Sequence, residues 1–196
     1  MKRYAILSAL TVFAACGGGE PAADSSTPAT EAAPAATASA PAGPTGEMTM
    51  PDWYQVDADA QTVHLTITAG STPDANYWNF NGATQGSMAI TVPEGYTVTI
   101  ELVNDDPNMA HSLGISDVTS SFGAMMDPTP VFAGAMTENP TSMVDGTMPG
   151  ETESITFTVD AAGNYSMVCY IPGHAATGMW IYFNVSSDGS MGVQGS

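Results

Sequence analysis

Apolar and polar residues alternate in three stretches of this chain. Thr62-Val-His-Leu-Thr-Ile-Thr68, Thr97-Val-Thr-Ile-Glu-Leu102 and Ser154-Ile-Thr-Phe-Thr-Val159 each put every second side chain on one face. A period of two marks a strand with one face buried. Shorter runs predict further strands at Ser87–Val92, Ala110–Ile115, Asn164–Cys169 and Trp180–Val185. Turn signals such as Asn81-Gly82, Pro93-Glu-Gly95 and Ala162-Gly163 separate them. No run keeps a helical period beyond about ten residues. Short strands with this punctuation predict an all-β Greek-key sandwich. His64 falls on the threonine face of its strand, opposite Val63, Leu65 and Ile67, and is expected at the surface.

The chain ends depart from this pattern. Lys2 and Arg3, the only basic residues, precede an apolar run from Tyr4 to Ala15. That is the layout of a secretory signal over residues 1–15, too short to span a bilayer. The following Phe13-Ala14-Ala15-Cys16-Gly17 resembles a bacterial lipobox, with Phe13 where Leu is usual. Cys16 would then be lipidated and become the new N-terminus. Residues 16–46 are rich in Ala, Pro, Thr, Ser and Gly and read as a disordered linker. Such a coil would reach about 30 Å. The folded domain is expected over 47–188, with a flexible tail at 189–196. The expected location is therefore outside the cytoplasm, on a membrane through the lipid, facing the periplasm or the cell exterior.

Charge narrows the partners. The net charge is −18, and all twenty acidic residues lie beyond Cys16. Losing the signal would leave them with no basic residue at all. Nucleic acid and anionic lipid surfaces are excluded as electrostatic partners.

The chemistry gathers near the C-terminus, in Cys169-Tyr-Ile-Pro-Gly-His174-Ala-Ala-Thr-Gly-Met179. A second histidine, His111, stands far upstream. Two imidazoles, one thiolate and one thioether form the donor set of a blue-copper site, trigonal His2Cys with a long axial Met. Thiolate and thioether suit Cu(I), and imidazole suits both copper states. There are two cysteines. If Cys16 carries lipid, Cys169 is left free for metal. One thiolate cannot build the dinuclear copper centre of oxidases, which needs a cysteine pair. Three histidines cannot furnish the extra copper sites of a multicopper oxidase or a copper nitrite reductase. No enzyme activity is expected.

These residues resemble the cupredoxins, and among them the sulfocyanin and rusticyanin branch. The resemblance covers most of the chain after about residue 60. It runs through Phe80-Asn81-Gly82, Ile90-Thr-Val-Pro93-Glu-Gly95, Val103-Asn104, His111-Ser112, Gly163-Asn-Tyr165-Ser-Met-Val-Cys169 and Pro172-Gly173-His174-Ala175 … Gly178-Met179-Trp180. Auracyanin-like proteins share the ligand spacing. The resemblance implies one type 1 copper and one-electron, outer-sphere transfer. It implies that Ser112 weakens hydrogen bonding to the copper thiolate and raises the potential. It also implies that the edge of His174 meets a surface patch of Pro172, Gly173, Ala175 and Ala176, the docking face and electron exit. Tyr165, four residues before Cys169, is expected to pack below the metal.

Residues 118–150 form a long segment with Met125, Met126, Met136, Met143 and Met148 among four prolines. It reads as a lid over the site, as a Met-rich surface for Cu(I) or a partner, or as a loop using Met as filler. The expected role is a monomeric, membrane-tethered electron carrier between transient partners, a cytochrome or terminal oxidase, in a respiratory or photosynthetic chain. A copper-handling protein is the alternative, with a metal-free adhesion domain a distant third.

Overall fold

The computed structural model describes residues 42–195. Strand β1 spans Tyr54–Asp57, β2 Thr62–Ala69, β3 Met88–Pro93, β4 Thr97–Asn104 and β5 Gly114–Asp117. Then come β6 at Thr152–Thr158, β7 at Gly163–Val168, β8 at Trp180–Ser186 and β9 at Gly192–Gly195. A 3-10 turn lies at Asp74–Tyr77, and one helical turn, α1, at His174–Thr177. The three alternating stretches are β2, β4 and β6.

The strands form two sheets, ordered β1-β2-β4-β6 and β5-β7-β8-β3-β9. Alternation decides what lies between them. Val63, Leu65 and Ile67 from one sheet and Ile90, Ile181 and Phe183 from the other are fully buried in one core. The polar partners of the first set, Thr62, His64 and Thr66, stay on the outer face, with His64 half-buried. Strand β3 is buried along its whole length because it lies between β8 and β9, parallel to β8. This is the all-β, two-sheet sandwich that the sequence predicts.

Three expectations change. The strand expected at Ala110–Ile115 begins only at Gly114. His111 instead exchanges both backbone hydrogen bonds with Thr147, at 3.0 and 3.1 Å. Leu113 and Ile115 are met by Thr137, Ala135 and Val131. Residues 131–147 therefore return along 111–115 as an irregular companion, and this segment has no strand of its own. Second, the tail over 189–196 is not free. Strand β9 pairs antiparallel with β3 and buries Val193. Glycine hides it from pattern reading. A Cβ on Gly192, at φ +131°, would lie 2.8 Å from the Thr49 carbonyl oxygen, so the close approach needs no side chain there. Third, ordered packing starts before residue 47. The Ala42 N–H donates to the Oδ1 atoms of Asn164 and Asn184, and Gln194 donates to the Gly46 carbonyl. Short β1 also escaped the pattern. The signal at 1–15 and the linker up to residue 41 lie outside the described residues.

If β9 completes the sheet, Val193→Asp buries an unpaired charge. It should cost about 2–3 kcal/mol, read as a lower midpoint in denaturant unfolding.

Candidate metal centre

The site lies at the end of the sandwich where β7 runs out. Cys169 follows β7, Met179 precedes β8, and these neighbouring strands present the two residues side by side. The Cys169 N–H donates to the Met179 carbonyl at 3.2 Å, and the Met179 N–H to the His174 carbonyl at 2.9 Å. The loop between them is thus closed by its own backbone. Two glycines permit the turn: Gly173 at φ +86° opens α1, and Gly178 at φ +121° ends it. A Cβ on Gly178 would also lie 2.6 Å from the Gln85 side chain.

The structure brings together three of the four expected donors at measurable range. Cys169 Sγ lies 3.6 Å from His174 Nδ1 and 3.8 Å from His111 Nδ1. All three donor atoms fall within 4.8 Å of one another. Met179 joins them through the backbone and is fully buried, as are Cys169, His111 and His174. Ser112 stands beside the thiol. Its Oγ is 3.7 Å from Cys169 Sγ and accepts a hydrogen bond from the Tyr170 N–H at 2.8 Å.

Asp106 escaped sequence reading. It is 2% exposed, and its Oδ2 lies 2.9 Å from His111 Nε2. Its Oδ1 accepts from the N–H groups of Asn108 and Met109. The buried Asn104 steadies the same turn through the carbonyls of Met109 and Thr147. With Nε2–H donated to Asp106, His111 turns the lone pair of Nδ1 toward the thiol, the arrangement that orients a metal-binding imidazole. The signal was faint, because Asn104-Asp-Asp-Pro107 reads as any polar turn.

Two expectations fail. Tyr165 is not below the metal. It sits four residues back along β7, about 13 Å away at strand rise. There it packs edge-on to Phe132, and its hydroxyl donates to the Ala161 carbonyl. Nor does the edge of His174 reach the surface. Within the expected patch His174 and Ala175 are buried, leaving Pro172 and Gly173 half-buried and Ala176 exposed. Trp78 stacks on the His174 ring instead, centroids 4.0 Å apart and planes 19° apart. Cys16 lies outside the described residues. The segment 118–150 is partly packed and partly exposed. Ala124 accepts from the Gly173 N–H, and Phe122 packs on Trp180, while Met125 and Met143 are 76% and 52% exposed.

Burial sets the protonation states. Desolvation pushes the Cys169 thiol up to about 11, against smaller opposing hydrogen bonds from the Ser112 and Ile171 backbone. Desolvation, reinforced by His111, holds His174 down at about 4. His111 is also lowered by burial, and Asp106 opposes that shift. Burial therefore favours the neutral, metal-binding form of both imidazoles.

A sequence-family model described as the sulfocyanin (SoxE) domain matches residues 52–193. The chain belongs to the sulfocyanin family. It is similar to a sulfocyanin of Sulfolobus acidocaldarius, 34% identical over 137 residues that make up 65% of each chain. The aligned stretch thus spans just under two thirds of that relative. It is also similar to a rusticyanin of Acidithiobacillus ferrooxidans, 30% identical over 126 residues, 64% of this chain and 77% of that one. Among solved structures, a rusticyanin from Thiobacillus ferrooxidans covers 69% of this chain, with 87% of its own length matched, 26% identity and a TM-score of 0.47. The donor set fits the family: two neutral imidazoles and one thiol converge in a buried pocket, with a thioether in the same loop. The cofactor is a single type 1 copper.

Two outcomes are expected. In Asp106→Asn, the amide keeps either its backbone bonds or its acceptor toward His111, but not both. Cu(I) affinity should drop about 10–100-fold in a chelator competition. The metal-free protein should also lose stability in acid. The unfolded chain protonates His174 near 6.5, the folded one only near 4. Below the upper value the unfolded state binds more protons, so stability falls as pH drops through this window. Unfolding midpoints should begin to fall near pH 6.5, above the range where carboxylates titrate; a flat profile down to pH 5 would contradict this.

Proposed function

We propose that this chain is a one-electron carrier whose copper would be held by Cys169, His111 and His174, with the thioether of Met179 as a further donor. Bound copper supplies the Cu(I)/Cu(II) couple. The chain's own residues supply rigidity and dryness. The observation that carries the reading is the convergence of three fully buried donor atoms within 4.8 Å. Both sheets, the self-closed loop and Asp106 restrain those donors before any metal arrives. A pocket so restrained has little room to rearrange when charge changes, which suits repeated cycling between two oxidation states. Trp78 covers the His174 ring, and Ala124 accepts a hydrogen bond from Gly173 at the mouth of the loop.

The wider role follows from the sequence. Lipid on Cys16 would hold the exported protein at a membrane, and residues 17–41 would let the domain swing between partners. These partners would be a cytochrome, a terminal oxidase or a photosynthetic complex, met one at a time by a monomer through a small, quickly released contact. Chemistry on a bound substrate is not part of this reading.

The test is the visible and EPR spectrum of the exported chain after Cu(II) is added, beside Cys169→Ala. An intense thiolate-to-copper band, absent from the variant and bleached reversibly by reductant, is expected. A colourless protein that binds only Cu(I) would instead make it a copper-handling protein.

A further inference from the structure

None of the four proposed ligands touches solvent: His111, Cys169, His174 and Met179 are each fully buried. Any electron entering or leaving must cross at least one residue that does not hold the metal. Trp78 is the aromatic ring in direct stacking contact with one of them. It is itself only half-buried, so its ring bridges His174 and the surface.

The chain maintains this position against several costs. Ala75, Asn76 and Tyr77 stand in the left-handed region at φ +51°, +59° and +64°, and none is glycine. Three such residues in a row immediately before Trp78 are strained, and strain of this kind persists where the surroundings enforce it for function. The enforcement is visible. Asn79 is fully buried, and its amide donates to the carbonyls of Thr72 and Asp74. Its Oδ1 accepts from Ser71 Oγ and from the Gly82 N–H. One side chain thus staples both ends of the loop that carries the indole. Trp78 Nε1 and His174 Nε2 are buried without a hydrogen-bond partner, so stacking and apolar contact, and not a polar link, join the two rings.

We propose that Trp78 is the electron gateway of this protein: a redox partner docks on its exposed edge, and the electron crosses the Trp78–His174 stack. This deepens the carrier reading and rests on it. One electron leaves the reduced protein and reduces the partner by one. Trp78 conducts without changing oxidation state, no bond forms or breaks, and no proton moves. Charge specifies the partner. No Lys or Arg occurs among the described residues, while Asp74, on the loop that carries Trp78, and Asp105, on the loop next to it, are exposed. Asp105 donates its N–H to Ala69, next to Gly70, which is bonded to Asn79. The matching surface is a flat redox group with its edge exposed inside a rim of basic residues.

The experiment uses the copper-loaded chain with a lysine-rimmed c-type cytochrome as probe, comparing wild type, Trp78→Phe and Trp78→Ala. The visible band and the potential are recorded first for each protein. Compared at equal driving force, Trp78→Ala should slow electron exchange roughly tenfold or more, because a protein-sized partner cannot follow into the pit left behind, and Trp78→Phe should recover most of the rate. Exchange in the wild type should weaken as salt is raised. In a separate titration, the Trp78 indole resonances of the copper-free protein should move when the cytochrome is added. Equal or faster exchange in Trp78→Ala would make the indole a shield and overturn the proposal, as would indole resonances that stay still. Absence of the blue band in the wild type would overturn the carrier reading itself.

Discussion

Two backbone hydrogen bonds, Cys169 to Met179 and Met179 to His174, hold the chemistry of this molecule in place. They close one short loop between two adjacent central strands. Everything else at that end of the sandwich is arranged around this loop. Gly173 and Gly178 permit its turns, Gln85 and Ala124 press against it, and His111 is brought to it from the far side of β7 by a pairing with Thr147. A side chain can be fully desolvated and still fixed in direction only when its backbone has no freedom left. The self-closed loop supplies that condition.

Desolvation also decides how the polar groups behave. The thiol resists ionisation and the imidazoles resist protonation for the same reason, the loss of water around each charged form. Asp106 is the exception. It is a nearly fully buried carboxylate, tolerated because it accepts two backbone N–H groups and faces an imidazole. Among the described residues it is the only buried acidic one, and it faces the donors. Its placement gives His111 a single useful orientation.

Much of this was legible beforehand, for identifiable reasons. β2, β4 and β6 alternate because each has one dry and one wet face, and alternation reports that condition. Cys169, His174 and Met179 were legible because sulfur and imidazole donors at short spacing have few other uses. What stayed hidden depends on contacts between distant residues. The partner of His111 is an irregular segment more than thirty residues away, so the strand expected at 110–115 shrank to Gly114–Asp117. β9 consists mostly of glycine and polar residues and is a strand only because β3 offers it an edge. Trp78 sits among turn residues, and nothing local shows that a left-handed turn will fold it onto a ring almost a hundred positions away. Tyr165 and the His174 edge were misplaced because position along a strand does not reveal depth from the surface.

The contacts made by Ala42 carry a consequence for orientation. Ala42 bonds to Asn164 and Asn184, which pair with each other across β7 and β8. Each stands five residues from Cys169 or Met179, about 16 Å away along the strand. The polypeptide therefore enters the domain at the pole opposite the copper. Were the domain held through its N-terminal end, the Trp78 face would stand at the far pole from the point of attachment.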